Sequence, residues 1–398
     1  MNLSPIISFD TFRSERGDWM RFCRGLLLGV GLPMLVLLGG LEWIAFGVGE
    51  VIPSAIAAQE QAQHPDQLWA TVRQDDYVRY KFARLAMDRP TVLVIGHSSM
   101  NQFRAGMFRP YSFYNLSRII WPLETYADLV RHFPEGYAPK VMIFDLNFYM
   151  FNEHFGAHYP QGLPDLHPSA ASAHLLSLGD MLSELLMHPQ LAWKRTAPLY
   201  GQPARGAHAI STGNGFRLDG AETWPPGMMK TAGSDPKLKE NNRWDDDLTR
   251  DGNVMAPHLK KAFEEFVAVA HQRGITLIGV QMPVYGEAVD ILEQHPQENV
   301  LADFRAHAAQ GYFKRLGIVF FDFLKFPRFG NDYRYFVDPR HPGEPLDAAV
   351  VMAMAADPRV QALLPDLDVR NLQSLLDADA HADQHIYLFG ANPQRHSP

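Results

Sequence analysis

The sequence predicts an α/β fold: a three-layer sandwich on a central, mostly parallel sheet, carried behind one transmembrane helix and broken by a long central insertion. Three observations predict it. Thr91 to Ser99 reads Thr-Val-Leu-Val-Ile-Gly-His-Ser-Ser, an apolar, β-branched run suited to a strand covered on both faces. Strands of this kind alternate with amphipathic helices on both sides of the insertion. Finally, Gly25 to Leu41 carries no charge, and its apolar character resumes after Glu42 through Val48. That is about the 20 residues needed to cross a bilayer core.

The whole chain sets the bounds. Its 398 residues, 46% of them hydrophobic, can bury a substantial core. A formal charge of -8, with no block of Lys and Arg, argues against a nucleic-acid partner. The single cysteine, Cys23, excludes an intramolecular disulfide, a zinc ribbon and a redox dithiol.

In order along the chain, residues 1–24 form a cytoplasmic amino end and 25–48 the anchor. Arg13, Arg16, Arg21 and Arg24 precede the apolar run and no Lys or Arg follows it until Arg73, which by the positive-inside bias puts the remainder outside. Pro33 can kink this helix, and Glu42 must reach the interface or meet a partner helix. A cleaved signal peptide and a buried soluble helix compete with an anchor. Residues 49–90 read as a juxtamembrane spacer and a first helix, Asp75 to Met87. Residues 91–149 supply the first part of the core: strands at Thr91 and at Phe113 to Ser117, a helix from Trp121 to Phe133, and a strand from Lys140 to Phe148.

Residues 150–254 break the pattern with polar, Gly- and Pro-rich sequence in which Leu175 to Met187 is helical. They are expected as an insertion over the functional edge of the sheet, either a lid or a docking surface. The second part of the core, 255–365, holds a helix from Pro257 to Arg273, a strand from Ile275 to Met282, a helix from Val300 to Leu316, a strand from Ile318 to Phe323 and a last helix from Asp347 to Ala355. The tail, 366–398, reads as a solvated acidic helix or a disordered end.

Three strand-edge signals carry chemistry: Gly96-His97-Ser98, Asp145-Leu146-Asn147 and Asp338-Pro339-Arg340-His341. Each has an ordinary alternative as a turn or strand terminus. A serine hydroxyl is a weak nucleophile, so an imidazole must take its proton, and a carboxylate must orient that imidazole. His154 with His158, and His381 with His385, are weak metal candidates. Trp224 and Trp244 in the insertion could stack on sugar rings or pack beneath a loop.

The order strand-Ser, strand-Asn and late Asp-x-x-His resembles the SGNH (GDSL-type) hydrolase superfamily over roughly 91–148 and 255–355. The resemblance implies Ser98 as nucleophile, His341 as base, Asp338 as its orienting partner, and Asn147 with the Ser98 N–H as oxyanion donors. It implies no cofactor and no metal. His97 stands where the family has Asp, and Asp145 where it has Gly. The family's second block is represented by Asn115-Leu116-Ser117 without its glycine. One anchor, an external domain and a long insertion resemble the branch that works beside membrane-bound O-acyltransferases in D-alanyl transfer and in alginate or cellulose O-acetylation. That implies acyl transfer to or from a cell-envelope glycan, with a polytopic partner delivering the acyl group. A free-standing esterase and an inactive assembly protein are the competing readings.

Overall fold

The computed structural model describes residues 9–119, 122–155, 162–167, 170–193, 203–224, 228, 252–379 and 386–389. The chain opens with one long helix, α-helical over Phe9–Leu26 and Leu32–Val48 and widened to a π-turn over Leu27–Gly31. The wide turn, with Leu32 N–H on the Leu27 carbonyl, falls just before Pro33, whose missing donor breaks the ordinary ladder there. Gly49 ends the helix in the left-handed conformation, φ +87°, which a side chain would resist. The part from Asp18 to Val48, 31 residues, is long and apolar enough to span a membrane.

The strands, in chain order, are β1 (Leu68–Trp69), β2 (Val92–Ile95), β3 (Phe113–Asn115), β4 (Val141–Asp145), β5 (Ala204–Arg205), β6 (Thr276–Gln281), β7 (Val319–Asp322), β8 (Phe336–Asp338) and β9 (His341–Pro342). Five of them form the central sheet in the order β3-β2-β4-β6-β7, and all four pairings are parallel. Every residue of β2 and β4 is buried, as the unbroken apolar runs require of strands covered on both faces. The strand order reverses between β2 and β4. In an open α/β sheet that reversal leaves a crevice at the strands' carboxyl ends, where ligands bind.

The helices follow the predicted periodicity closely. Pro257–Gln272 buries the five expected positions Leu259, Phe263, Phe266, Val267 and Ala270. The expected Val300 to Leu316 helix divides into Leu301–Ala309 and Tyr312–Arg315, because Gly311 adopts φ +75° between them. Leu123–Thr125 forms a 3-10 turn leading into Tyr126–Arg131, while Trp121 lies outside the described residues. Gly286–Gln294 adds a helix that the sequence reading omits.

Two expectations need correction. The segment read as a spacer is part of the packed structure. Ser54–Gln63 is a helix that buries Ala57, Ala58 and Gln61. The Gln61 amide donates to the carbonyls of Gln67 and Phe216, at 2.8 and 2.9 Å. β1 pairs in parallel with β5 of the insertion, so small, polar sequence here serves close packing rather than extension. Glu50 joins the anchor's end to this unit by accepting the N–H groups of Val72 and Ala207, at 2.8 and 2.9 Å. Burial pushes its carboxyl up to about 8, against the lowering pull of those donors.

The tail is the second correction. Val369–Asp379 buries Leu372 and Leu376. Beyond it, the N–H groups of Leu388 and Phe389 donate to Oε2 of the fully buried Glu344, whose Oε1 meets Arg104 at 2.6 Å. A charged residue with no exposure needs such partners, and the tail supplies two of them. Arg104 also bonds Asp219 at 2.8 Å, so the insertion, the tail and the last long core helix, Glu344–Ala355, share one buried ionic cluster.

Candidate active site

Ser98 sits three residues beyond β2, at the start of the 3-10 turn Ser98–Met100. Gly96 makes the turn possible. Its φ is +143°, and a Cβ there would lie 2.5 Å from Asp145 Oδ1. Across the crevice, β8 and β9 form a tight hairpin with Pro339-Arg340 at its tip. Asp338 organises that hairpin with both oxygens. Oδ1 accepts the Arg340 and His341 N–H groups at 2.9 and 3.1 Å, closing an Asx turn. Oδ2 lies 2.6 Å from His341 Nδ1. The turn reading and the orienting reading of this loop are therefore one geometry.

The decisive contact closes across 243 residues of sequence: Ser98 Oγ is 2.7 Å from His341 Nε2. With Nδ1 donating to Asp338, Nε2 is left as an acceptor for the Ser98 hydroxyl. Burial alone would push the Asp338 carboxyl up. The facing His341, its hydrogen bond and the Arg340 N–H outweigh that and hold it down at about 2. All three residues are half-buried, reachable yet partly shielded from water.

Asn147 lies two residues beyond β4, next to the turn after β2. Its Oδ1 accepts the Met282 N–H at 2.9 Å, which fixes the amide so that Nδ2 points toward Tyr149 OH, at 2.8 Å, and Ser99 Oγ, at 3.5 Å. No acceptor among the described residues takes the Ser98 N–H. The Asn147 amide lies against Ser99, the residue after Ser98, with Tyr149 OH as its nearer partner. The second-block segment offers no such donor: Ser117 N–H is engaged by Asn115 Oδ1 at 2.9 Å, and Arg118 N–H by the Gly96 carbonyl at 2.7 Å.

Three features escape sequence reasoning. His97 and Asp145 pair with each other behind the nucleophile, and the Asp145 carboxylate also accepts the His97 N–H at 2.9 Å and Tyr126 OH at 2.7 Å. The Met282 N–H, which aims Asn147, carries no side-chain signal at all. Trp224 from the insertion lays its ring 4.9 Å from that of His341, while its buried Nε1 has no hydrogen-bond partner. Packing therefore describes Trp224, whose indole N–H faces no acceptor among the described residues; Trp244 lies outside them.

Compared with known proteins, the chain matches no family model, no curated protein and no solved structure. Among the described residues no His, Cys, Asp and Glu group could hold a metal ion, and His158, His381 and His385 fall outside them.

Proposed function

We propose that this chain is an SGNH-like serine acyltransferase or esterase, anchored in a membrane by its first helix, which moves an acyl group through Ser98. The observation that carries the proposal is the continuous Ser98–His341–Asp338 relay, with gaps of 2.7 and 2.6 Å. Two further points support the family resemblance. The strand order puts Ser98 and Asn147 at the crevice where the sheet reverses. The two positions that depart from the family pattern, His97 and Asp145, are mutual partners, so the departures compensate each other.

In the proposed reaction His341 Nε2 takes the Ser98 proton as Oγ bonds to the acyl carbonyl carbon. The carbonyl electrons move onto oxygen, where the Ser98 N–H and Asn147 Nδ2 stabilise them. Collapse breaks the bond to the leaving group, which takes the proton back from His341, and leaves an ester on Ser98. An acceptor hydroxyl then repeats the steps in reverse and frees the serine. A glycan hydroxyl makes the protein a transferase; water makes it an esterase. Asp338 stays ionised throughout and stabilises the charged imidazole.

The resemblance extends the proposal to a cell-envelope polysaccharide acceptor, a polytopic membrane-bound O-acyltransferase as acyl supplier, and an inner-membrane location with the α/β domain on the periplasmic side. A single candidate span among the described residues fits a protein that receives its acyl group rather than carrying it across. The 2.7 Å approach of His341 to Ser98 supports the catalytic reading over a catalytically inert assembly role.

The test is labelling by a serine-directed fluorophosphonate. Wild-type protein is expected to be modified at Ser98, and Ser98→Ala to be silent; undiminished labelling of that variant would remove Ser98 from the mechanism. Turnover of an acyl donor with and without polysaccharide then separates transfer from hydrolysis.

A further inference from the structure

The insertion helix Ala170–Met187 carries an apolar face that no described residue covers. Leu175, Leu176, Leu182, Leu186 and Met187 are 47% to 77% exposed, and their spacing keeps them on one side of the helix. Gly179 and Ser183 lie between them, so the face holds no charge. The opposite side is packed: Leu178 and Met181 are buried with Leu41, Ala45 and Val48 of the anchor helix. A stripe of this size on a water-facing helix would be an aggregation hazard, so its surroundings need an explanation.

The contacts to the anchor fix where this helix lies. His174 Nε2 meets Glu42 Oε1 at 2.6 Å, giving that acidic residue the partner it needs. One turn of the insertion helix beyond Met181, Glu184 bonds Ser211 of the helix Ala207–Thr212, whose first N–H is held by Glu50. The insertion helix thus runs alongside the anchor's last turns, from the level of residue 42 to that of residue 50. Trp43 and Phe46 of the same anchor turns are exposed as well. Trp193, 69% exposed, follows the helix, and indole rings favour the membrane interface.

We infer that Ala170–Met187 and Trp193 lie in the bilayer interface, so that the α/β domain is seated on the lipid surface through two elements rather than tethered by one. The occupant of the face is lipid. The helix Ala170–Met187 contains no Lys or Arg, so its seating is by apolar burial, and zwitterionic phosphatidylcholine tests that burial apart from Lys194 and Arg195, which follow Trp193 in the sequence. The inference rests on the anchor reading above, and the test separates the two.

Full-length protein carrying Cys23→Ser, which removes the only cysteine, receives single cysteines by Leu37→Cys, Leu186→Cys or Lys314→Cys. Each is labelled with an environment-sensitive NBD fluorophore and reconstituted into phosphatidylcholine nanodiscs. Leu37 is on the exposed anchor surface, and Lys314 is exposed in the short helix beside β7, at the far edge of the sheet from β3. Positions 37 and 186 are expected to be blue-shifted and quenched by doxyl-labelled lipid several-fold more than position 314, with iodide quenching in the opposite order. Salt should leave the pattern unchanged. If position 37 meets lipid while position 186 behaves like 314, the seating is wrong, the anchor stands, and the face belongs to a protein partner. If both behave like 314, both readings fall. The three sites lie on exposed surface, and circular dichroism of each variant checks that the fold is kept.

Discussion

Two His–Asp pairs flank Ser98, and they have opposite character. His341–Asp338 is half-buried on a hairpin assembled late in the chain, and its free ring nitrogen meets the Ser98 hydroxyl. His97–Asp145 is adjacent to Ser98 in sequence and lies in the interior, with side chains 4% and 0% exposed. Its carboxylate is saturated by the His97 ring, the His97 N–H and Tyr126 OH. Closeness in sequence therefore does not identify the base. What identifies it is which imidazole presents an acceptor nitrogen to the hydroxyl while its other nitrogen is held by a carboxylate.

The sharpest way to break this comparison is to truncate each imidazole in turn. His341→Ala is expected to slow fluorophosphonate labelling of Ser98 by about 10⁴-fold or more. His97→Ala is expected to act on the fold, costing about 1–3 kcal/mol because it removes one hydrogen-bond partner of the buried Asp145 carboxylate. Per folded molecule its labelling should fall by less than about tenfold. Stopped labelling in a fully folded His97→Ala protein would reverse the assignment of the two pairs. Asp338→Asn should lower the rate by about 10⁴-fold through the wrong tautomer of His341.

Smaller effects sharpen the picture. Asn147→Ala should cost about 10²–10³ in the labelling rate, the usual loss for one oxyanion donor, and a rate equal to wild type would move the oxyanion away from β4. The carboxylates themselves differ with pH. Asp338 is depressed to about 2, so its stabilising contribution is complete above about pH 4 and disappears as the pH falls through 2. Denaturation midpoints of wild type and Asp338→Asn should converge near pH 2. Glu50 is raised to about 8, so the folded state holds an extra proton between about pH 4.5 and 8, and stability should decline as the pH rises through that window. Glu50→Gln should flatten this decline, and an unaltered slope would show that Glu50 is not its source.

Much of this was legible in the sequence for physical reasons. A strand buried on both faces must be apolar throughout, so Val92–Ile95 and Val141–Asp145 announce themselves, and amphipathic spacing marks Pro257–Gln272. Ser98, Asn147, Asp338 and His341 stood out because short polar motifs followed strands or lay on a turn. The spacer and the tail were misread because polar and small residues can be buried through specific partners, as Gln61 and Glu344 are, and no periodicity announces a partner 155 residues away. The same limit hid the contact of Trp224 with His341, and Met282 acts through a backbone N–H that every residue but proline possesses.

The clasp on Glu344 ties the hairpin that carries His341 to a distant part of the chain. Its helix begins three residues after His341, and its carboxylate is satisfied only when Leu388 and Phe389 have arrived. Without those residues Glu344 would keep Arg104 at Oε1 and lose both donors to Oε2. Removing them would loosen the start of the helix that follows His341, although no tail residue belongs to the Ser98–His341–Asp338 relay.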